Sequence, residues 1–275
     1  EWIIGCVSEP VSDDWEKYYG PSHVGCDFYE SRGDFELGPL TNTSKLEDFS
    51  NLFMYCESWN NAGKPLPAGF KTDSAKVLCM MFYNCGVFNQ PVNHLKVDNV
   101  FNFDSVFSGC ALFNQEVDQW NVGNGEDFYS TFDCCYEWNG DVSGWDMSNA
   151  TTIMYMFDGC SKFNGDVSQW KLSNAEYMTG VFNACTEFDC DISGWDVSNV
   201  GDFSDMFKRA EKFNQDISGW DVSSASFMGG MFNSAESFNQ DLSGWCVGKI
   251  WSEPSRFDYG ARSWVKARPA WGTCP

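Results

Sequence analysis

Phe213-Asn214-Gln215-Asp216-Ile217-Ser218-Gly219-Trp220-Asp221-Val222-Ser223-Ser224 decides the fold, because the chain repeats it. It returns as Phe188-Asp189-Cys190-Asp191-Ile192-Ser193-Gly194-Trp195-Asp196-Val197 and as Phe238-Asn239-Gln240-Asp241-Leu242-Ser243-Gly244-Trp245-Cys246-Val247. Tryptophans 120, 145, 170, 195, 220 and 245 keep a step of 25, as do phenylalanines 107, 132, 157, 182, 207 and 232. A fixed period of this size marks a stacked-repeat architecture.

Within one repeat the spacing divides into two parts. Ile217-x-x-Trp220-x-Val222-x-x-Ala225 has the leucine-rich-repeat form, and alternation at Trp220 and Val222 has the period of a strand. Phe203, Met206, Phe207 and Ala210 fall at i, i+3, i+4 and i+7, the inward stripe of a short helix. Glycines 109, 159, 180 and 229 would limit those helices to a turn or two. The spacing therefore predicts an LRR-like α/β repeat solenoid: one short parallel strand and one short helical segment per rung, strands on the concave face and helices on the convex one.

The array divides the chain. Residues 1–36 show no period and form an N-terminal cap closed by a Cys6–Cys26 disulfide or, alternatively, an arm for a neighbouring subunit. Residues 37–247 form a solenoid of about eight rungs, with a four-residue insertion around Asn61–Pro67 that bulges as a loop. Residues 248–275 form a C-terminal cap, pinned by a Cys246–Cys274 clasp.

Composition bounds the function. The 275 residues are 43% hydrophobic and 17% aromatic, enough for a core. Against 39 Asp+Glu stand 17 Lys+Arg, a formal charge of −22, which disfavours nucleic acid and anionic membrane. No run of 18 apolar residues suggests a membrane span. The 13 cysteines, the acidity and the sequons at Asn42 and Asn149 together suggest an exported chain, and a start at Glu1 fits a signal peptide already removed.

The phrase Phe-Asn-Gln-Asp-Ile-Ser-Gly-Trp-Asp-Val-Ser-Asn, followed by Asp-Met-Phe, resembles the BspA-like leucine-rich-repeat surface proteins over roughly residues 44–275. The tail Trp245-Cys246-Val247 to Cys274-Pro275 is similar to the segment that ends such arrays. The resemblance implies an LRR-like solenoid on an exported or cell-surface protein, with adhesion or partner binding as its usual assignment and no enzymatic activity. The cysteine content and residues 1–43 depart from the family and point to a more heavily cross-linked extracellular setting.

Chemistry-bearing columns follow from the period. In the supposed strand, the residue between the two inward positions reads Asn121, Asp146, Lys171, Asp196 and Asp221 and faces solvent. Across Asp146, Lys171, Asp196 and Asp221 a basic or cation-bearing ligand could seat; a solvated polar face accounts for the same residues. Glu116, Asp141, Asp166, Asp191, Asp216 and Asp241 could supply oxygen ligands to a Ca2+ ladder, although turn capping explains them with fewer assumptions and no other cofactor is implied. Asn89, Asn114, Asn139, Asn164, Asn214 and Asn239 read as an inward amide ladder, and Cys56, Cys85, Cys110, Cys135, Cys160 and Cys185 as a small inward column, reduced or bridged between rungs. Only His23 and His94 are present, and no catalytic triad, paired-cysteine metal site or phosphate loop is visible. The expectation is a non-enzymatic extracellular or cell-surface protein that binds a protein or glycan through its faces. The alternative is a filament subunit that assembles with itself, head to tail.

Overall fold

The computed structural model describes residues 33–34, 36–37 and 42–275. The N-terminal cap and the Cys6–Cys26 pair lie outside the described residues. The chain winds into coils, and the coils stack in register: isolated parallel bridges join Asp48 to Val77, then Val77 to Asn102 and onward every 25 residues to Phe227. The longer first step is accommodated by the bulge at 61–67. There the buried Asn61 donates from Nδ2 to the carbonyls of Lys64 and Pro65, and its Oδ1 accepts from the Leu37 amide.

The expected strand-plus-helix rung is not what the chain forms. Among the described residues the only helix is a 3-10 turn at Asn61–Gly63, and the bridges never extend into a sheet. In the expected strand, Trp220 N–H bonds back to Ile217 O and Ala225 N–H to Val222 O, so the leucine-rich-repeat spacing builds two successive tight turns. Asp216 and Asp221 cap these turns through the amides of Ser218 and Ser223. There is accordingly no concave strand face.

The expected helix fails for a different reason. Met206 and Ala210 donate three residues back, to Phe203 and Phe207, while Phe203, Asp205, Phe207 and Arg209 donate to the next coil, at Phe227, Gly229, Met231 and Asn233. Every second amide therefore leaves its own coil. This geometry places Asp205 (φ 54) and Arg209 (φ 59) in the left-handed region, where a helix cannot continue. Equivalent positions in other coils are filled by Gly109, Gly159, Gly180 and Gly230, all with positive φ, so these glycines serve a turn that recurs in each coil.

The inward residues make one continuous core. Phe53, Phe82, Phe107, Phe132, Phe157, Phe182, Phe207 and Phe232 stack face to face, with centroids 5.4 Å apart at one end of the column and 5.6 Å at the other. Each of the six tryptophans from Trp120 to Trp245 donates its indole N–H to a carbonyl of the coil behind, as Trp195 does to Val167 O at 2.9 Å. The thiols of Cys85, Cys110, Cys135, Cys160 and Cys185 do the same toward the phenylalanine carbonyls of the preceding coil. These five thiols are buried and reduced, and burial raises their pKa.

The C-terminal segment continues the coil and closes it. Phe232 and Ser234 donate to the carbonyls of Phe257 and Tyr259, and Cys246 is disulfide-bonded to Cys274. Trp264 meets Phe232 and Phe238 edge-on, at interplanar angles of 74° and 87°, which ends the parallel ring stack. Arg268 lies 4.3 Å over the Trp264 ring and pairs with Asp258.

Phe157 stacks on Phe132, Phe163 and Phe182, whereas the Cys160 column accepts alanine at 210 and 235. Phe157→Ala should cost about 3–5 kcal/mol and Cys160→Ala about 1 kcal/mol, read from urea unfolding monitored by tryptophan fluorescence.

Candidate functional site

The acidic row singled out in the sequence is exposed, and most of it has a structural task. Asp146, Asp196 and Asp221 each accept the amide of the serine two residues on, with Lys171 exposed in the same row. Those serine bonds hold the carboxyls of Asp146 and Asp221 below the usual range. Asp141, Asp166, Asp191, Asp216 and Asp241 cap serine amides in the same way. Among the described residues no group of three or more His, Cys, Asp or Glu is arranged to hold a metal ion.

The asparagine column is also corrected: Asn114, Asn139, Asn164 and Asn214 lie on the surface. The Oδ1 atoms of Asn89, Asn139, Asn164 and Asn214 take the backbone amide of the following coil, as Asn139 does from Asn164 at 2.8 Å. Of the two sequon asparagines, Asn149 donates Nδ2 to Gly123 O, a coil-to-coil bond that Asn124, Asn174 and Asn199 repeat. The exposed Asn42 instead accepts from Ser44. His94 is exposed, and partial desolvation lowers its pKa; His23 lies outside the described residues.

The structure adds a feature that the sequence reading missed: an open groove of about 640 Å3 over the first coils. Its origin is a change of side-chain size along one surface column, which reads Glu57, Gly86, Ala111, Tyr136 in successive coils. A Cβ added to Gly86 would meet nothing nearer than Glu57 O at 3.8 Å. Beside this floor the walls carry Tyr83, the exposed Val87 and Leu112, and Asp133. The dip to Gly86 and Ala111 in adjacent repeats was the available signal.

Electrostatics single out the same region. Asp133 is half-buried, accepts from the Cys134 thiol and, at 3.3 Å, from Ser108 Oγ, and burial raises its pKa. Its neighbour one coil on, Asp158, accepts from Asn183 at 3.0 Å and is pushed up to about 6, chiefly by burial. Cys134 is half-buried between them in sequence and pushed up to about 11 by burial, so its thiol stays protonated at neutral pH. Among the described residues no lysine or arginine pairs with Glu57 or Asp133.

A stack of 25-residue coils with a continuous buried core and an open groove over its first coils defines a repeat protein. The family described as "Mycoplasma protein of unknown function, DUF285" matches residues 47–170 and 151–264, and the chain belongs to that family. No curated protein matches the chain. Among the described residues no helix is long and apolar enough to cross a membrane.

Asp158 binds its proton more tightly folded than unfolded. Its contribution to stability is full below the ordinary carboxylate pKa of 3.8 and is lost as pH rises through about 6. Asp127 and Asp133 act with the same sign, both raised by burial. The carboxyls lowered by serine bonds, such as Asp146 and Asp221, act with the opposite sign up to about pH 5. The unfolding free energy should therefore fall between about pH 5 and about pH 7, and Asp158→Asn should flatten that fall, as measured by urea titration at each pH.

Proposed function

We propose that the chain is a non-enzymatic repeat protein of the extracellular space or cell surface, which recognises partners through its side-chain faces. The observation that carries this reading is the open groove, where exposed Val87 and Leu112 lie beside the carboxylates of Glu57 and Asp133. Such a combination of apolar patch and unmatched charge suits recognition of another molecule. The extracellular setting is supported by the Cys246–Cys274 disulfide, since disulfides persist in oxidising compartments. The repeated Phe-Asn-Gln-Asp-Ile-Ser-Gly-Trp phrase supports a kinship with BspA-like surface proteins, apart from their strand-and-helix fold.

A second reading has its own observation. Trp251, Tyr259 and Val265 in the closing segment are 84%, 71% and 83% exposed, and an apolar end that meets the opposite end of another copy builds an open filament.

Light scattering on the purified, non-reduced chain separates the two. The binding module predicts a monodisperse monomer whose mass does not change with concentration. Open-ended assemblies that dissolve in a Trp251→Ser, Val265→Ser variant would overturn it in favour of the filament.

A further inference from the structure

Resting on the partner-binding reading, the groove can be given a ligand chemistry. Its two carboxylates stand at opposite ends: Glu57 belongs to the coil of Phe53 and Asp133 to the coil of Phe132, with the coils of Phe82 and Phe107 between them. Three coil steps at the spacing of paired backbones put their coils roughly 14 Å apart along the stack. The middle is apolar and small-floored, with Val87 and Leu112 exposed above Gly86 and Ala111. Tyr83 and Tyr136 add ring faces at the walls. The Tyr83 ring is fixed by an edge contact to Tyr55 at 5.4 Å, and the Tyr136 hydroxyl is tied to the Cys134 sulfur.

An extended peptide rises about 3.3 Å per residue, so a span of this length separates residues about four positions apart. We propose that the groove binds an extended peptide segment of a partner protein, with two arginines four positions apart and apolar residues between them. One guanidinium meets Glu57 and the other meets Asp133, against the tyrosine faces. Arginine suits the site better than lysine because its planar group pairs with a carboxylate through two donors and stacks on aromatic rings. The apolar residues of the segment cover Val87 and Leu112, which removes both from water. Asp133 then gains a cation that no lysine or arginine among the described residues supplies.

The probe is the peptide acetyl-Arg-Leu-Ala-Leu-Arg-amide, titrated into the full chain while the methyl resonances of Val87 and Leu112 are followed by NMR. Saturable shifts at these methyls are expected. Replacing both arginines by glutamine, or shortening the spacing to Arg-Leu-Arg, should weaken binding at least about tenfold. Asp133→Asn should weaken it by about the same factor, and Ala111→Phe, which fills the floor and leaves both carboxylates in place, should abolish the shifts. Thermal unfolding of each variant confirms that it is folded. The proposal is overturned if the methyls do not move at millimolar peptide, if Gln and Arg peptides bind alike, or if the same methyls shift with protein concentration alone, which would make a second copy the occupant. A monodisperse monomer that ignores the peptide sinks the peptide assignment and leaves the binding-module reading standing. Open-ended assembly sinks the reading itself.

Discussion

The structure depends on where the backbone amides go. In each coil, alternate N–H groups around the core phenylalanine leave their own turn and bond to the next coil, as Phe203, Asp205, Phe207 and Arg209 do. The intervening amides close tight turns. A chain cannot satisfy both demands in a helix, because a helix bonds every amide within itself. It cannot satisfy both in a strand either, because two residues per coil must turn left-handed, as Asp205 and Arg209 do. Side chains reinforce the same axis. The tryptophan indoles and the buried thiols send their hydrogens to the coil behind, and the asparagine Oδ1 atoms accept from the coil ahead. Most buried polar groups are thereby paired along the stack, as a narrow core without sheets requires, with Thr72 Oγ1, Thr179 Oγ1 and Asn183 Oδ1 as exceptions.

Once the amides are placed, the stacked rings follow. Parallel coils in constant register put identical positions above one another, so a phenylalanine column becomes a continuous ring stack. The offsets are those that aromatic faces tolerate. The same regularity creates a problem at the end, where an apolar ring face would meet water. Trp264 and Trp271 solve it by turning edge-on to Phe232 and Phe257, and Arg268 covers the outer face of Trp264. The disulfide from Cys246 to Cys274 holds this closing segment against the last full coil.

Much of the architecture was legible in the sequence, and one part misled. The period of 25, the insertion near 61–67 and the inward columns are visible because burial leaves a residue-type record: Phe203, Met206, Phe207, Ile217, Trp220 and Val222 are all buried. Secondary structure was not legible, because i, i+3, i+4 and i+7 is also the spacing of a run of tight turns. What distinguishes the two is the sign of φ at Asp205, Arg209, Ser130 or Tyr155, and none of those residue types announces it. Only the glycines at 109, 159, 180 and 230 hinted at it, and a glycine in a helical pattern is as readily taken for a helix limit. For the same reason the asparagine ladder was assigned inward. Its regular spacing matched the core columns, but its bonds run along the surface.

The acidity of the chain takes on a different meaning in this light. A charge of −22 suggests a surface built for cations, yet eight carboxylates, at 141, 146, 166, 191, 196, 216, 221 and 241, accept serine amides in turns that recur in successive coils. Their negative charge is a by-product of a turn that needs an acceptor two residues before an amide. Once these structural carboxylates are set aside, what remains distinctive is small: Asp133 and Asp158, half-buried without a capping role, and Glu57 at the far end of the groove. Desolvation raises the pKa of Asp133 and Asp158, so their burial is unfavourable, and no lysine or arginine among the described residues pairs with Asp133 to offset it. In a repeat protein, a position that departs from its own column carries more information than the column does. Gly86 and Ala111 are the smallest residues of their column, and they meet Asp133 at one place on the surface.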